Sequence, residues 1–378
     1  MKFTILKSPL LTAISHVSNA VSSKTTIPIL TGIKIVVNET GCSLMASDSD
    51  ISIQVNLPPE VNGEEQIKIA ASGSVVLPAR YFFDIVRKLP GDTVQIEVAQ
   101  QYVTTILSEQ SRFQLNGMDP DEFPRLPQLQ QDEIISLPAN LFKTMIRQTS
   151  FAVSTAETRP VLTGVEWLIQ DNVLRFIATD SHRLAKREAQ IEMAAQPSVN
   201  KVIVPGKSLA DLNKILSDDD DLVDIVLTEN QLLVKTANVL FYSRLLDGNY
   251  PDTTRIIPQS SKANIVIETK QLLHAIDRAS LLTRDGKNNV VKLEGADETL
   301  HITANSPEVG KVTENVPLNE FSGEPFKISF NAKYMIDALR ALDSEHIRIQ
   351  FTGPMAPFII QPTDYDAILY LILPVRTY

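Results

Sequence analysis

Thr26-Ile27-Pro28-Ile29-Leu30-Thr31-Gly32-Ile33 reads like Thr158-Arg159-Pro160-Val161-Leu162-Thr163-Gly164-Val165, and Ala46-Ser47-Asp48-Ser49 reads like Ala178-Thr179-Asp180-Ser181. Both pairs are 132 positions apart, 26 to 158 and 46 to 178. A repeat of this length fixes architecture before any single motif is weighed. Leu300-His301-Ile302-Thr303-Ala304-Asn305-Ser306 resembles Leu174-Arg175-Phe176-Ile177-Ala178-Thr179-Asp180, which gives a third, more diverged copy. The chain of 378 residues is therefore read as three units in tandem, within the two to four domains that its length suggests.

Helix patterns recur in the same order. Leu10, Ala13, Ile14 and Val17 are spaced i, i+3, i+4, i+7, as are Phe142, Met145, Ile146 and Thr149, and Leu272, Ala275, Ile276 and Ala279. Each set predicts an amphipathic helix opening its unit. Ser8 before Pro9 reads as an N-cap followed by proline at the first helical position. A second stripe follows in each unit: Phe82, Ile85, Val86 and Leu89; Leu209, Leu212 and Leu216; Met335, Ala338, Leu339 and Leu342. Alternating runs such as Thr93–Val98 and Ile347–Phe351 predict half-buried strands. Two helices among many short strands favour α+β units with antiparallel sheets over parallel crossovers. Proline-rich segments at Phe123–Pro127 and Tyr250–Pro258 read as linkers, dividing the chain into 1–127, 128–258 and 259–378.

Most enzyme signatures are excluded by absence. The 14 glycines lie no closer than nine positions apart, so no phosphate loop or nucleophile elbow is possible. The five histidines (16, 182, 274, 301, 346) show no metal-ligand spacing, and Cys42 is the sole cysteine, as in a reducing compartment. No cofactor or metal is expected. The N-terminus lacks a signal peptide and an apolar run long enough to span a bilayer, so a cytoplasmic protein is expected. Asp48 and Asp180 recur at matched positions and could form a carboxylate pair, but turn residues accepting backbone N–H groups are the better reading. A net charge of −10 argues against holding nucleic acid by bulk attraction, yet leaves room for a locally basic face. Candidates for that face are Lys143 and Arg147, at i, i+4 opposite the Phe142/Ile146 stripe, with Lys24 and Arg159 in the segments after the first helices.

The triplication, together with Ala178-Thr179-Asp180-Ser181-His182-Arg183-Leu184, Tyr250-Pro251-Asp252 with Arg255-Ile256, Asn331-Ala332-Lys333-Tyr334 and the terminal Leu373-Pro374-Val375-Arg376, resembles the bacterial DNA sliding clamps, the beta subunits of DNA polymerase III. The resemblance covers the entire chain. It implies a non-catalytic processivity factor: a head-to-tail homodimer forming a six-domain ring, helices inside and sheets outside, around duplex DNA. A closed ring holds DNA by topology, so its phosphate contacts need only be weak and sequence-independent, which suits the acidic balance. The implied DNA-facing residues are Lys24, Lys143, Arg147 and Arg159. The resemblance also implies a groove between the second and third domains that receives linear motifs of the replicative polymerase, the clamp loader and other polymerases and repair proteins. Its matching positions are Leu162, Thr179, His182, Arg183, Leu184, Pro251, Arg255, Ile256, Asn331, Tyr334, Leu371, Leu373, Pro374, Val375 and Arg376. Arg183 and Arg376 are expected to hold peptide carbonyls or acidic groups. Phe113, Leu115, Leu281 and Leu282 match the subunit junction. No membrane partner is implied.

Overall fold

The computed structural model describes residues 1–22, 25–126, 133–193, 197–284 and 289–376. Among them are six α-helices, two in each repeat: α1 (Lys7–Ser18), α2 (Ala79–Lys88), α3 (Ala139–Ser150), α4 (Gly206–Asn213), α5 (Thr269–Ser280) and α6 (Ala332–Ala341). The stripes read from the sequence are the buried faces, with Leu10, Ile14, Phe142, Met145, Leu272 and Ile276 all withdrawn from solvent. Leu89, Leu216 and Leu342 lie just past the ends of α2, α4 and α6, yet remain buried.

Each first helix follows directly on a strand, and α1 and α5 have no capping side chain. The chain supplies the missing acceptor from elsewhere: the N–H of Lys7 donates to Asp92 O (2.8 Å), that of Ala139 to Asp221 O (2.8 Å) and that of Thr269 to Glu345 O (2.9 Å). One distant carbonyl, at the same place in each repeat, satisfies a donor that an N-terminus leaves orphaned. The expected Ser8 cap is therefore corrected: Leu6 precedes the helix, Ser8 lies within its first turn, and Pro9 follows where an N–H has no intrahelical acceptor to lose.

Contacts divide the chain into two compact units, Met1–Asn140 with Asp211–Leu245, and Leu141–Ala210 with Leu246–Tyr378. In the first unit a five-stranded sheet runs in the order Ser111–Asn116, Val103–Ser108, Thr93–Val98, Lys2–Leu6, Ile67–Ala71. Its eight-stranded sheet runs Ile134–Pro138, Leu222–Leu227, Gln231–Lys235, Val239–Arg244, Ile51–Leu57, Gly41–Ser47, Gly32–Asn38, Gly73–Pro78. In the second unit a nine-stranded sheet runs Lys201–Pro205, Gly164–Gln170, Val173–Thr179, Arg183–Gln190, Ile368–Ile372, Phe358–Pro362, His346–Phe351, Ala263–Glu268, Glu320–Gly323. A four-stranded sheet runs Gly310–Pro317, Thr299–Ser306, Val290–Ala296, Phe326–Asn331. Every pairing is antiparallel, as the short turns require.

The two large sheets are seams between repeats. In one, Val239–Arg244 of the second repeat pairs with Ile51–Leu57 of the first, Phe241 opposite Ile53. In the other, Ile368–Ile372 of the third repeat pairs with Arg183–Gln190 of the second, Tyr370 opposite Ala185. The proline-rich segments read as linkers hold more than a linker would. Phe123 is buried with Ile29, Leu30 and Val76, and Tyr250 with Leu162, Leu184 and Leu371, so each segment is pinned beside a seam.

Cys42 is buried, and burial pushes its thiol pKa up to about 12. The thiolate is the reactive form. Cys42 is therefore expected to resist a disulfide reagent at pH 8 in the native chain and to react within seconds to minutes once urea unfolds it, as followed by thionitrobenzoate release.

Candidate functional site

The second seam builds a groove. The strand Val173–Thr179 brings in Thr179; the turn after it carries Ser181 and His182; the single 3₁₀ turn Pro160–Thr163 places Leu162; and the last strand delivers Leu371, followed by Leu373. With Pro251, Asp252 and Ile256 these residues enclose about 240 Å³. Leu162, Ile177, Leu184, Ile203, Tyr250 and Leu371 form its floor, and Leu369 and Leu373 pack against it half-buried. Burying one leucine-sized side chain in such a floor contributes about 2 kcal/mol.

Tyr250 ties the floor together. Its hydroxyl accepts from the Thr179 N–H (2.9 Å) and donates to Gly164 O (3.4 Å), and burial holds the phenol well above its usual pKa. Replacing it by Phe leaves a buried Thr179 N–H without an acceptor. Tyr250→Phe is expected to lower the unfolding free energy by about 1–2 kcal/mol in urea denaturation.

Arg183 sits behind the groove, 8% exposed. Its Nε donates to Asp180 Oδ2 (3.0 Å), Nη1 to Asp337 Oδ2 (2.7 Å) and Nη2 to Phe151 O (2.7 Å). The guanidinium also lies 4.7 Å from the Tyr334 ring centre and 5.4 Å from that of Phe151. Every nitrogen has an internal acceptor, so Arg183 locks the groove wall rather than reaching out to a peptide carbonyl. Tyr334 stands beside it at the start of α6, nearly parallel to the His182 ring at 6.2 Å, and burial raises its phenol pKa. Asn331 caps that helix, its Oδ1 accepting from the Lys333 N–H (2.9 Å).

The tail follows the same wall. The Leu373 N–H donates to His182 O (2.9 Å) and the Val375 N–H to Ser329 O (2.7 Å), with Pro374 half-buried between them and Arg376 exposed. Arg255 is exposed and pairs with Asp252 (3.2 Å). Of the residues named from sequence, the cavity thus collects Leu162, Thr179, His182, Arg183, Pro251, Ile256, Leu371 and Leu373, with Leu184 in its floor. Ser181 and Asp252, quoted only within motifs, line it too, as does Thr253, which went unnamed like Asp337, whose partner Arg183 lies 154 positions away.

The basic residues among those described have different surroundings. Arg159 is exposed on the rim of the groove. Lys143 is half-buried on α3; Arg147, one turn on, pairs with Asp343 and donates to Ala341 O (3.0 Å). Lys24 lies outside the described residues. Phe113, 41% exposed, sits on the open edge of the five-stranded sheet with Leu115 half-buried beside it, and Leu281, 59% exposed, follows the end of α5 next to half-buried Leu282.

Asp48 and Asp180 are turn residues. Asp48 Oδ1 accepts from the N–H groups of Asp50 (3.1 Å) and Ile51 (2.9 Å), and Asp180 Oδ1 from those of His182 (2.9 Å) and Arg183 (3.0 Å). Each stabilises a turn whose second residue, Ser49 or Ser181, is in the left-handed region (φ 84° and 75°).

Three family models cover almost the whole chain: the N-terminal domain of the DNA polymerase III beta subunit matches residues 1–127, the central domain 136–252 and the C-terminal domain 254–376. The chain belongs to the DNA polymerase III beta subunit family. It is similar to the beta sliding clamps of Bacillus subtilis (55% identical) and Staphylococcus aureus (50%), each over the full length of both chains. The crystal structure of the Bacillus subtilis clamp matches with a TM-score of 0.96 at 54% identity, again covering both chains fully. A Pseudomonas aeruginosa clamp bound to griselimycin matches over both full lengths with a TM-score of 0.92 at 28% identity. As a beta sliding clamp the protein is a processivity factor, a non-catalytic accessory subunit of a DNA polymerase. The two turn aspartates accordingly need no chemical role.

Proposed function

We propose that two copies of this chain close head to tail around duplex DNA, and that the groove beside Leu162 and Leu371 receives linear motifs of the polymerase, the clamp loader and repair proteins. The supporting observation is the incomplete third seam. Each intramolecular seam joins the last strand of one repeat's sheet to the third strand of the preceding repeat's sheet. Two edges of those same kinds stay open, Ser111–Asn116 and Gly310–Pro317. Tracing the ladders gives the equivalences: Phe113 occupies the position of Phe241 and Tyr370, and Val312 that of Ile53 and Ala185. Phe113 of one copy therefore faces Val312 of the other, and Leu115 faces Gly310. Leu281 occupies the position of Phe151, whose ring packs edge-on against Tyr370 at 5.2 Å, so Leu281 covers Phe113. A head-to-tail contact of this kind closes when its rotation does.

Opposed antiparallel residues lie about 4.5–5.5 Å apart at Cα, within disulfide reach. A chain carrying Phe113→Cys, Val312→Cys and Cys42→Ser is expected to crosslink on oxidation into a covalent dimer on a denaturing gel. Crosslinking at Leu115 with Val312 instead would shift the register and overturn this seam.

The domains are bounded at 1–127, 128–258 and 259–378. Lys24, Lys143, Arg147 and Arg159 face the DNA, with Arg147 exchanging Asp343 for phosphate at little net gain, as weak contacts that permit sliding require. The protein works in the cytoplasm, where the DNA is; among the described residues no helix is long and apolar enough to cross a membrane. That a Pseudomonas aeruginosa relative is bound to griselimycin supports a ligand site in the family. Truncation before Leu373 removes part of the groove's apolar wall and is expected to weaken a labelled polymerase C-terminal peptide at least about tenfold by fluorescence anisotropy. Undiminished binding would place the site elsewhere.

A further inference from the structure

We infer that the first seam carries a second docking groove, selective for a short acidic peptide with one aliphatic anchor. The inference stands on that seam alone, whether or not the ring closes. The cavity there encloses about 300 Å³, and the repeat equivalences superpose it on the groove of the second seam. Leu30 stands where Leu162 stands, and Pro124 where Pro251 stands. The fold has thus built the same concavity twice, and the sequence has changed its chemistry.

A rim cation is lost, and two arginines are gained elsewhere around the cavity. Ile27, 50% exposed on the rim, replaces the cation Arg159, and Arg125 replaces the anion Asp252. Arg244 replaces Leu373. Both arginines are exposed, and among the described residues neither makes an ion pair, so two guanidiniums face the cavity against one lining carboxylate, Asp50. Beneath them lies a small apolar floor of Leu30 packed with Ile29, Val76 and Phe123. Half-buried Tyr242, its phenol pKa raised by burial, adds a hydroxyl. Cations around an apolar socket suit a carboxylate-bearing segment with a leucine-sized side chain between its charges. Asp50 and the apolar floor disfavour a nucleic-acid backbone, which offers phosphates and no aliphatic anchor.

The probe is acetyl-Asp-Glu-Leu-Glu-Asp-amide, titrated into the full chain labelled at isoleucine and leucine methyls and followed by NMR. Saturable shifts are expected at Ile27 and Leu30. Arg125→Glu with Arg244→Glu, two exposed changes whose folding is checked by circular dichroism, should weaken the probe at least about tenfold, and a lysine-for-acid version of the peptide should not bind. Shifts confined to Leu162 and Leu371, or equal affinity for both proteins, would overturn the inference. So would a DNA duplex shifting Ile27 where the peptide does not, which would make the patch a nucleic-acid contact.

Discussion

The double variant Phe113→Asp, Leu281→Asp is expected to run as a monomer of 41.9 kDa, and the parent chain at twice that mass if the proposed ring forms. The positions equivalent to Phe113, Phe241 and Tyr370, are fully buried once their seams are made. Phe113 itself waits exposed at an open edge. An aspartate there must enter an apolar seam without a partner, at a cost of several kcal/mol per seam, and a ring contains two such seams. The same residues are exposed in a lone chain, so thermal unfolding of the monomer should change by less than about 1 kcal/mol. Analytical ultracentrifugation reads the mass. A variant that stays dimeric would mean that these edges do not meet.

Arg183→Ala should be the most destabilising single change near the groove. It leaves Asp180, Asp337 and the Phe151 carbonyl without their shared donor, in a site where Arg183 is nearly inaccessible. Removing one member of such a buried pair costs about 3 kcal/mol, towards the low end because Lys333 Nζ still meets Asp337 Oδ2 (3.0 Å). Urea denaturation should show that loss. Arg183→Ala combined with Asp337→Asn should cost less than the sum of the two changes, because the second relieves the charge stranded by the first. Strict additivity would mean the pair contributes nothing. Peptide affinity should fall as well, since the wall formed by Thr179 and His182 hangs on the same turn.

Much of this was legible in the sequence because it repeats. The offset between Pro28-Ile29-Leu30-Thr31-Gly32 and Pro160-Val161-Leu162-Thr163-Gly164 marks two equivalent 3₁₀ turns, and Leu30 and Leu162 turn out to floor two equivalent cavities. The helix stripes were legible for the same reason, since a buried face must recur every three to four residues. The helix starts were not. Their acceptors, Asp92 O, Asp221 O and Glu345 O, are carbonyls about 80 positions away, and backbone atoms leave no mark on composition. Ser8 looked like a cap because local spacing is all a sequence displays. The role of Arg183 was hidden likewise: it is set by Asp337 and Phe151, brought near by the meeting of two repeats. The proline-rich segments were legible as boundaries, but the buried aromatics that pin them, Phe123 and Tyr250, were not, because their partners come from distant strands and turns.

Enclosure is tested most directly by loading the protein onto nicked circular DNA, with the clamp loader of a close relative, and then cutting the circle once. The account predicts retention through gel filtration on the intact circle, in moderate salt, and loss within minutes of linearisation, restored when bulky protein blocks both ends. Equal retention on circle and line, or release from both when salt screens the phosphates, would show that attraction holds the DNA and would contradict the ring.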